Sequence, residues 1–243
     1  MRTQSMVCVV VVELALSLVG TSAHGQEDGE WTFELTPLYL WIMGGETEVT
    51  HGGVSSKSDF GFSDIIDDVE FAITVHFEAT NGEWSLFTDL SYTELGRSEG
   101  GLKVDVDMFI GELGAGVQVS EEWQVIFGGR WFDLDIDLKD SADPTMTASG
   151  GVDWVDPFVG VRTTTQIGEK WWLTWRADIG GFSVGSDVAW NMLLSFDYVI
   201  SNAVKLRFAA RVLDFEYDTG TGDSRTEFDA TFYGPLLGVT ILF

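Results

Sequence analysis

Three observations predict an all-β fold, a transmembrane antiparallel up-and-down β-barrel of about ten strands. Apolar and polar residues alternate with period two along most of the chain. Past the N-terminus no apolar run reaches the roughly 18 residues that a spanning helix needs. Short connections alternate with longer ones, as they do in membrane barrels. A count between eight and twelve strands is compatible with the same pattern.

Ten segments carry the alternation: about 31–43, 69–80, 84–95, 104–119, 123–138, 151–167, 171–183, 187–200, 203–218 and 226–243. In 69–79, Val69, Phe71, Ile73, Val75, Phe77 and Ala79 share one face, while Glu70, Ala72, Thr74, His76 and Glu78 share the other. In 188–200, Val188, Trp190, Met192, Leu194, Phe196 and Tyr198 oppose Ala189, Asn191, Leu193, Ser195 and Asp197. Trp171, Leu173, Trp175, Ala177 and Ile179 likewise oppose Trp172, Thr174, Arg176, Asp178 and Phe182. A helix would mix these sets. Most segments reach the ~9–11 residues that a tilted strand needs to cross a bilayer, and an even count returns both termini to one side.

Asn81-Gly82-Glu83, Ser120-Glu121-Glu122, Gly168-Glu169-Lys170 and Ser201-Asn202 read as tight turns, and 44–68, 96–103, 139–150, 184–186 and 219–225 as loops at the opposite end. Trp84, Trp123 and Trp171 follow three of the tight turns, the placement that an interfacial aromatic girdle requires. A soluble sandwich would also alternate, but has no reason to put Trp after each turn. The chain ends on Leu237, Val239, Ile241 and Phe243, alternating to the last residue. A terminal Phe closing such a strand resembles the signal read by outer-membrane barrel assembly machinery, which makes that machinery an expected partner.

Composition agrees. The 243 residues are 45% hydrophobic and 13% aromatic with only 4 Pro, which excludes disorder. The formal charge of −26 excludes a non-specific nucleic-acid binder, since phosphate contacts need Lys and Arg. Residues 1–25 read as a secretory signal peptide: Arg2, an apolar stretch from Met6 to Val19, then small residues with cleavage after Ala23 or Gly25. The single cysteine, Cys8, lies within it, so residues 26–243, the barrel proper, have no thiol. The expected location is the outer membrane of a Gram-negative-type cell, with lipid and lipopolysaccharide as surroundings.

If the apolar faces meet lipid, Glu34, Glu70, His76, Glu78, Asp89, Asp105, Asp107, Asp156, Asp178, Asp197 and Asp229 line the lumen, with Arg130, Arg162, Arg176, Lys205, Arg207 and Arg211. Confined charges should pair. Ten strands lie close to the number at which side chains fill the interior. The expected function is therefore a structural, passive barrel with a charge-paired, filled lumen, and the alternative is a narrow cation-preferring, porin-like channel. The alternation shifts phase after Trp131 and after Val212, which reads as bulges near the outer rim. Asp133, Asp135, Asp137, Asp140, Asp143, Asp214, Glu216, Asp218 and Asp223 would then form an acidic rim able to attract small cations. Within the longest loop, 62–68 could make one helical turn capped by Ser63.

Catalytic chemistry finds little support. Past the signal peptide only His51 and His76 offer imidazoles, with His24 added if cleavage follows Ala23. His76 shares a face with Glu78, with Ser85 and Ser91 on the next segment, so an acid–base pair is conceivable. Outer-membrane lipid A deacylases use a His-x-Ser triplet; His76-Phe77-Glu78 lacks the nucleophile. Omptin proteases use Asp/Asp and Asp-x-His pairs near the outer rim, a pattern absent here. An outer-membrane hydrolase is thus the weakest of three readings. Gly114-Ala115-Gly116 and Gly180-Gly181 sit inside strands and read as close packing, not phosphate loops. No metal-ligand spacing and no cofactor motif appears.

Thr36-Pro37-Leu38-Tyr39-Leu40-Trp41, the run from Phe62 to Ala72, Gly82 to Leu90 and Gly234 to Gly238 resemble a family of proteobacterial outer-membrane β-barrel proteins of unassigned function. More broadly the chain is similar to small barrels of the OmpA and OmpW type. The resemblance implies the fold and the location, and brings no catalytic residue with it.

Overall fold

The computed structural model describes residues 30–51, 53–61, 68–99, 101–140, 147–222 and 225–243. The expected signal peptide and most of the 62–68 turn lie outside these residues. Twelve strands follow one another: β1 (Thr32–Trp41), β2 (Gly44–His51), β3 (Val54–Phe60), β4 (Val69–Thr80), β5 (Trp84–Glu99), β6 (Leu102–Gln118), β7 (Trp123–Asp140), β8 (Thr147–Gln166), β9 (Trp171–Gly181), β10 (Val188–Ser201), β11 (Val204–Thr219) and β12 (Thr226–Leu242). All pairings are antiparallel. From β4 to β12 each strand pairs with the next, β1 pairs with β4, and β12 returns to β1. Ten strands thus close the barrel, at the expected segments. Among the described residues no helix is long and apolar enough to cross a membrane, and the strands do the crossing.

The remaining two strands replace the expected loop at 44–68. β2 continues β1 upward along β12, pairing Gly44–His51 with Thr226–Tyr233, and β3 folds back on β2. No alternation marks β2 in the sequence because Val49 is its one apolar side chain; it packs against the buried aromatic core. The loop expected at 96–103 also disappears. β5 and β6 stay in register to Glu99↔Leu102, so the hairpin projects as paired strand.

The turns at the short end are built from local polar contacts. The Asn81 side-chain oxygen accepts from the N–H groups of Glu83 (3.1 Å) and Trp84 (2.7 Å), while Gly82 takes φ +88°. Ser120 Oγ accepts from the N–H of Trp123 in the same way. Each contact aims a tryptophan outward at one level, and Trp84, Trp123 and Trp171 are all exposed there. Phe33, Phe77 and the terminal Phe243 stack beside them. A second aromatic level, which the sequence reading did not single out, runs through Phe71, Tyr92, Phe109 and Trp131, packed edge to edge around the wall. Between the levels the outward residues are apolar, with Leu113 70% and Val155 54% exposed. Leaving such a surface bare in water is costly, whereas lipid covers it. The belt between two aromatic levels makes this a transmembrane barrel of the outer-membrane type.

The expected phase shifts in β7 and β11 do not exist. β7 pairs with β6 from Leu102↔Asp140 to Gln118↔Gln124 without a break, and β11 is equally regular on β12. What changes is the medium. Below Trp131, β7 points Gln124, Ile126 and Arg130 inward; above it Phe132 is buried while Asp135 and Asp137 are exposed. Above the belt the outside is water and the inside becomes an apolar core, so polarity inverts while the strand keeps its pleat. The register shifts lie elsewhere: between Leu35 and Leu38 on β1, between Val69 and Phe71 on β4, and between Val199 and Ser201 on β10. Pro37, which has no N–H to give to a ladder, sits inside the first.

Candidate functional site: the filled lumen

The lumen is occupied in layers. Nearest the turns, Arg162 of β8 reaches across to Glu78 of β4, with Nη1 2.9 Å and Nη2 2.5 Å from its two carboxylate oxygens, and also donates to Gln124 and Ser85. Lys205 donates to Glu34 at 2.5 Å. Arg207 forks onto both oxygens of Asp197, 2.8 Å each. Above this, Phe87, Ile126 and Phe158 form a small buried apolar cluster. Gly114 makes room for it: a Cβ there would lie 2.3 Å from the Phe87 ring. This is the close packing expected of that glycine pair.

The central layer is a closed ionic network. Arg130 donates through Nε to Glu112 and through Nη2 to Asp178, both at 2.8 Å. Arg176 bridges the same two carboxylates, at 2.9 Å from Glu112 and 2.8 Å from Asp178. Arg211 completes it, pairing with Glu112 and donating to Asn191 at 2.7 Å, while Asn191 donates to Asp178. The side chains of Arg130 and Glu112 are wholly buried. Three guanidinium groups around two carboxylates leave hardly any acid oxygen without a cation, the condition under which buried charge is tolerable. The Arg130 and Arg176 guanidinium groups also lie over the Phe158 ring, at 5.3 and 5.2 Å.

Above the network lies an aromatic core. Phe215 is at its centre, 4.7 Å from Phe132, 5.4 Å from Trp154 and 5.6 Å from Phe228. Trp154 stacks on Tyr217 at 4.1 Å, and its indole N–H donates to Ser186 at 2.9 Å. Asp156 is satisfied by the N–H and hydroxyl of Ser186, both at 2.7 Å, which ties the β9–β10 loop into the wall.

Of the expected lumenal acids, Glu34, His76's partners Glu78 and Asp89, and Asp156, Asp178 and Asp197 are inside, as are all six bases. Four acids are not. Asp105 and Asp107 stand on the outward face of β6 above the belt, where Asp105 pairs with Lys103 and Lys139. Asp229 is exposed on β12. The bulge at Val69 turns Glu70 outward, where its carboxylate covers Gly96. Conversely Glu112, the hub of the network, was missed. Its segment begins Asp105-Val106-Asp107, and those outward acids set the wrong phase for the strand. The apolar face Leu113, Ala115 and Val117 further along would have placed Glu112 inside.

The expected acidic rim lies on the outward faces of the projecting strands: Asp133, Asp135 and Asp137 on β7, and Asp214, Glu216 and Asp218 on β11, while Asp143 and Asp223 lie outside the described residues. Glu94, Asp107 and Asp135 stand directly opposite one another across β5, β6 and β7. Burial, and then the facing Glu94 and Asp135 carboxylates, raise the pKa of Asp107 above its ordinary value. Among the described residues no group of three or more His, Cys, Asp or Glu is arranged to hold a metal ion.

His76 is buried in the turn-proximal half of the lumen. Its Nδ1 lies 2.9 Å from Asp89, and its Nε2 is 3.7 Å from Glu78 with no hydrogen-bond partner. Ser91 bonds to Thr74 and Ser85 accepts from Arg162. Among the described residues no hydroxyl is hydrogen-bonded to the imidazole.

No family model matches the chain, and no curated protein is detectably similar to it in sequence. Solved structures are similar in fold. The outer membrane protease OmpT of Escherichia coli is 8% identical, matching 91% of this chain and 99% of its own with a TM-score of 0.53. The attachment invasion locus protein Ail of Yersinia pestis is 9% identical over 89% of this chain and all of its own, with a TM-score of 0.41. The outer membrane protein OprG of Pseudomonas aeruginosa is 13% identical over 90% and 98%, with a TM-score of 0.36. The OmpT likeness agrees with the barrel fold, and the chain is an outer-membrane β-barrel of the small kind.

Proposed function

We propose that this chain is a sealed, structural barrel of the outer membrane whose lumen does not conduct. The observation that carries this reading is the stack of layers across the lumen. A wholly buried Glu112–Arg130 pair lies beneath an aromatic core centred on Phe215. An ion would have to displace both the salt bridges and the rings, and the buried charges resist separation. The acidic side chains that suggested cation selectivity stand on the outer wall, away from any path through the centre.

The surroundings this reading implies are lipid against the belt, lipopolysaccharide against the projecting wall, and barrel assembly machinery engaging Phe243. Small cations would gather loosely at the acidic wall. Planar-bilayer recording tests the proposal. Refolded protein should give no steady conductance, and joint replacement of Glu112, Arg130 and Phe215 by Ala should open one. A steady, cation-selective current through the unaltered chain would overturn it in favour of a narrow channel.

A further inference from the structure

The wall above the belt is incomplete. β8 pairs with β7 up to Lys139↔Thr147, but with β9 only up to Phe158↔Gly180. β9 stops at Gly181 and β10 starts at Val188, so above Phe158 the far edge of β8 meets no described strand. The β9–β10 loop turns low, held by the bonds of Ser186 to Asp156 and Trp154. Among the described residues no loop backbone hydrogen bond reaches 147–153 from that side.

An open strand edge is a template for another strand, and proteins guard such edges with Lys or Pro. β3, paired only with β2 among the described residues, has Lys57 at its middle. Between 147 and 156, β8 carries neither residue type, and a Cβ on Gly150 would stand in open space.

We propose that the free edge of β8 takes an extended peptide of alternating basic and apolar residues as an added strand, at the barrel end away from the chain termini. Backbone groups supply the ladder, and the two faces of β8 select the side chains. On the outward face stand Asp153 of β8 and, on β7 beside it, Asp133, Asp135 and Asp137. The Asp135 carboxylate leans over Gly151, toward the edge. Among the described residues only Asp137 of these four has a base within salt-bridge distance, Lys139. Burial, and then the carboxylates of Asp135 and Asp153, raise the pKa of Asp133, so charge on this face is not offset. A basic side chain of the added strand would stand beside Asp153. On the inward face the alternate positions meet Val152 and Trp154 of the aromatic core, where apolar side chains fit.

The folded barrel in non-ionic detergent would be titrated by calorimetry with a capped octapeptide of alternating lysine and valine. Saturable binding is expected, with none for the copy carrying glutamate in place of lysine. A fully N-methylated copy keeps the charges but cannot donate to a ladder, and should bind at least tenfold more weakly. Asp153→Lys should weaken binding as much while leaving the unheated gel mobility of the folded barrel unchanged. A peptide with a central cysteine should cross-link to Ser149→Cys and not to Ser56→Cys on β3. No saturable binding up to ~1 mM would overturn the proposal. So would equal binding of the N-methylated or glutamate copy, binding indifferent to Asp153→Lys, or preferred cross-linking at Ser56→Cys. Sedimentation showing a dimer of the unaltered barrel that excludes the peptide would give the edge to a second copy and overturn it as well. The sealed-lumen reading stands or falls separately, on conductance.

Discussion

At the residue scale, one carboxylate decides whether the centre of the barrel holds. Glu112 receives Arg130, Arg176 and Arg211, three cations from three strands, while Asp178 receives two of the same groups. Replacing Glu112 by Gln leaves three buried guanidinium groups sharing one carboxylate, and breaking a buried pair in this way costs about 3–5 kcal/mol. Equilibrium urea unfolding from lipid vesicles should show that loss. Adding Arg211→Met should then return part of it, because Arg130 and Arg176 keep Asp178 whereas the carboxylate that Arg211 pairs with is Glu112. A loss below about 1 kcal/mol for Glu112→Gln would mean that the network is solvated and holds little together. The apolar face of Leu113, Ala115 and Val117 marks Glu112 as inward, but its strand also carries Asp105 and Asp107 on the other face, and only the register with Arg130 shows that Glu112 is the hub.

At the element scale, strand existence was legible because a pleated strand between two media must alternate, and every barrel segment did. Strand length was not legible, because above the belt the same pleat meets water outside and an apolar core inside. In β7 this inversion after Trp131 imitates a slip of register, although the ladder is continuous. The hairpin of β2 and β3 was invisible for a related reason: Val49 is the one apolar side chain of β2 against the core, and a single residue sets no period. The projecting part of β6 carries a testable penalty. Glu94, Asp107 and Asp135 face one another directly, and like charges so placed destabilise by roughly 0.2–1 kcal/mol.

The direction with pH follows from the raised pKa of Asp107. A carboxyl whose pKa is higher folded than unfolded holds its proton better in the fold. The penalty is therefore complete above the folded value and fades as pH falls toward the unfolded one, near 4. Asp107→Asn should be more stable than the parent at neutral pH by a few tenths of a kcal/mol up to ~1. That advantage should shrink steadily toward pH ~4 in paired denaturant titrations. An advantage independent of pH would place its origin in packing and not in charge.

At the scale of the whole molecule, the chain is two proteins stacked end to end on one set of strands. The lower is a membrane barrel, apolar outside and ionic within; the upper is a water-exposed barrel, acidic outside with Phe215, Phe132 and Trp154 within. The aromatic level through Phe71, Tyr92, Phe109 and Trp131 is the boundary between them. The same substitution on the same outward face must then have opposite consequences on either side of that line. Leu113→Arg puts a cation into the lipid belt, on a residue 70% exposed to it, and should cost about 2–4 kcal/mol near the midplane. Asp135→Arg, on the adjacent strand above Trp131, enters water beside Asp107, with Glu94 one strand further and Gly151 of β8 on its other side. It should be neutral or mildly stabilising. Unfolding of both variants from vesicles of two acyl-chain lengths separates the cases. The Leu113→Arg cost should change with bilayer thickness, because thinner bilayers bring the cation nearer to headgroups, whereas Asp135→Arg should be indifferent. Equal costs for the two would remove the boundary from the place the aromatic level gives it. With the boundary would go the explanation of why an acidic strand end and an apolar strand middle share one uninterrupted ladder.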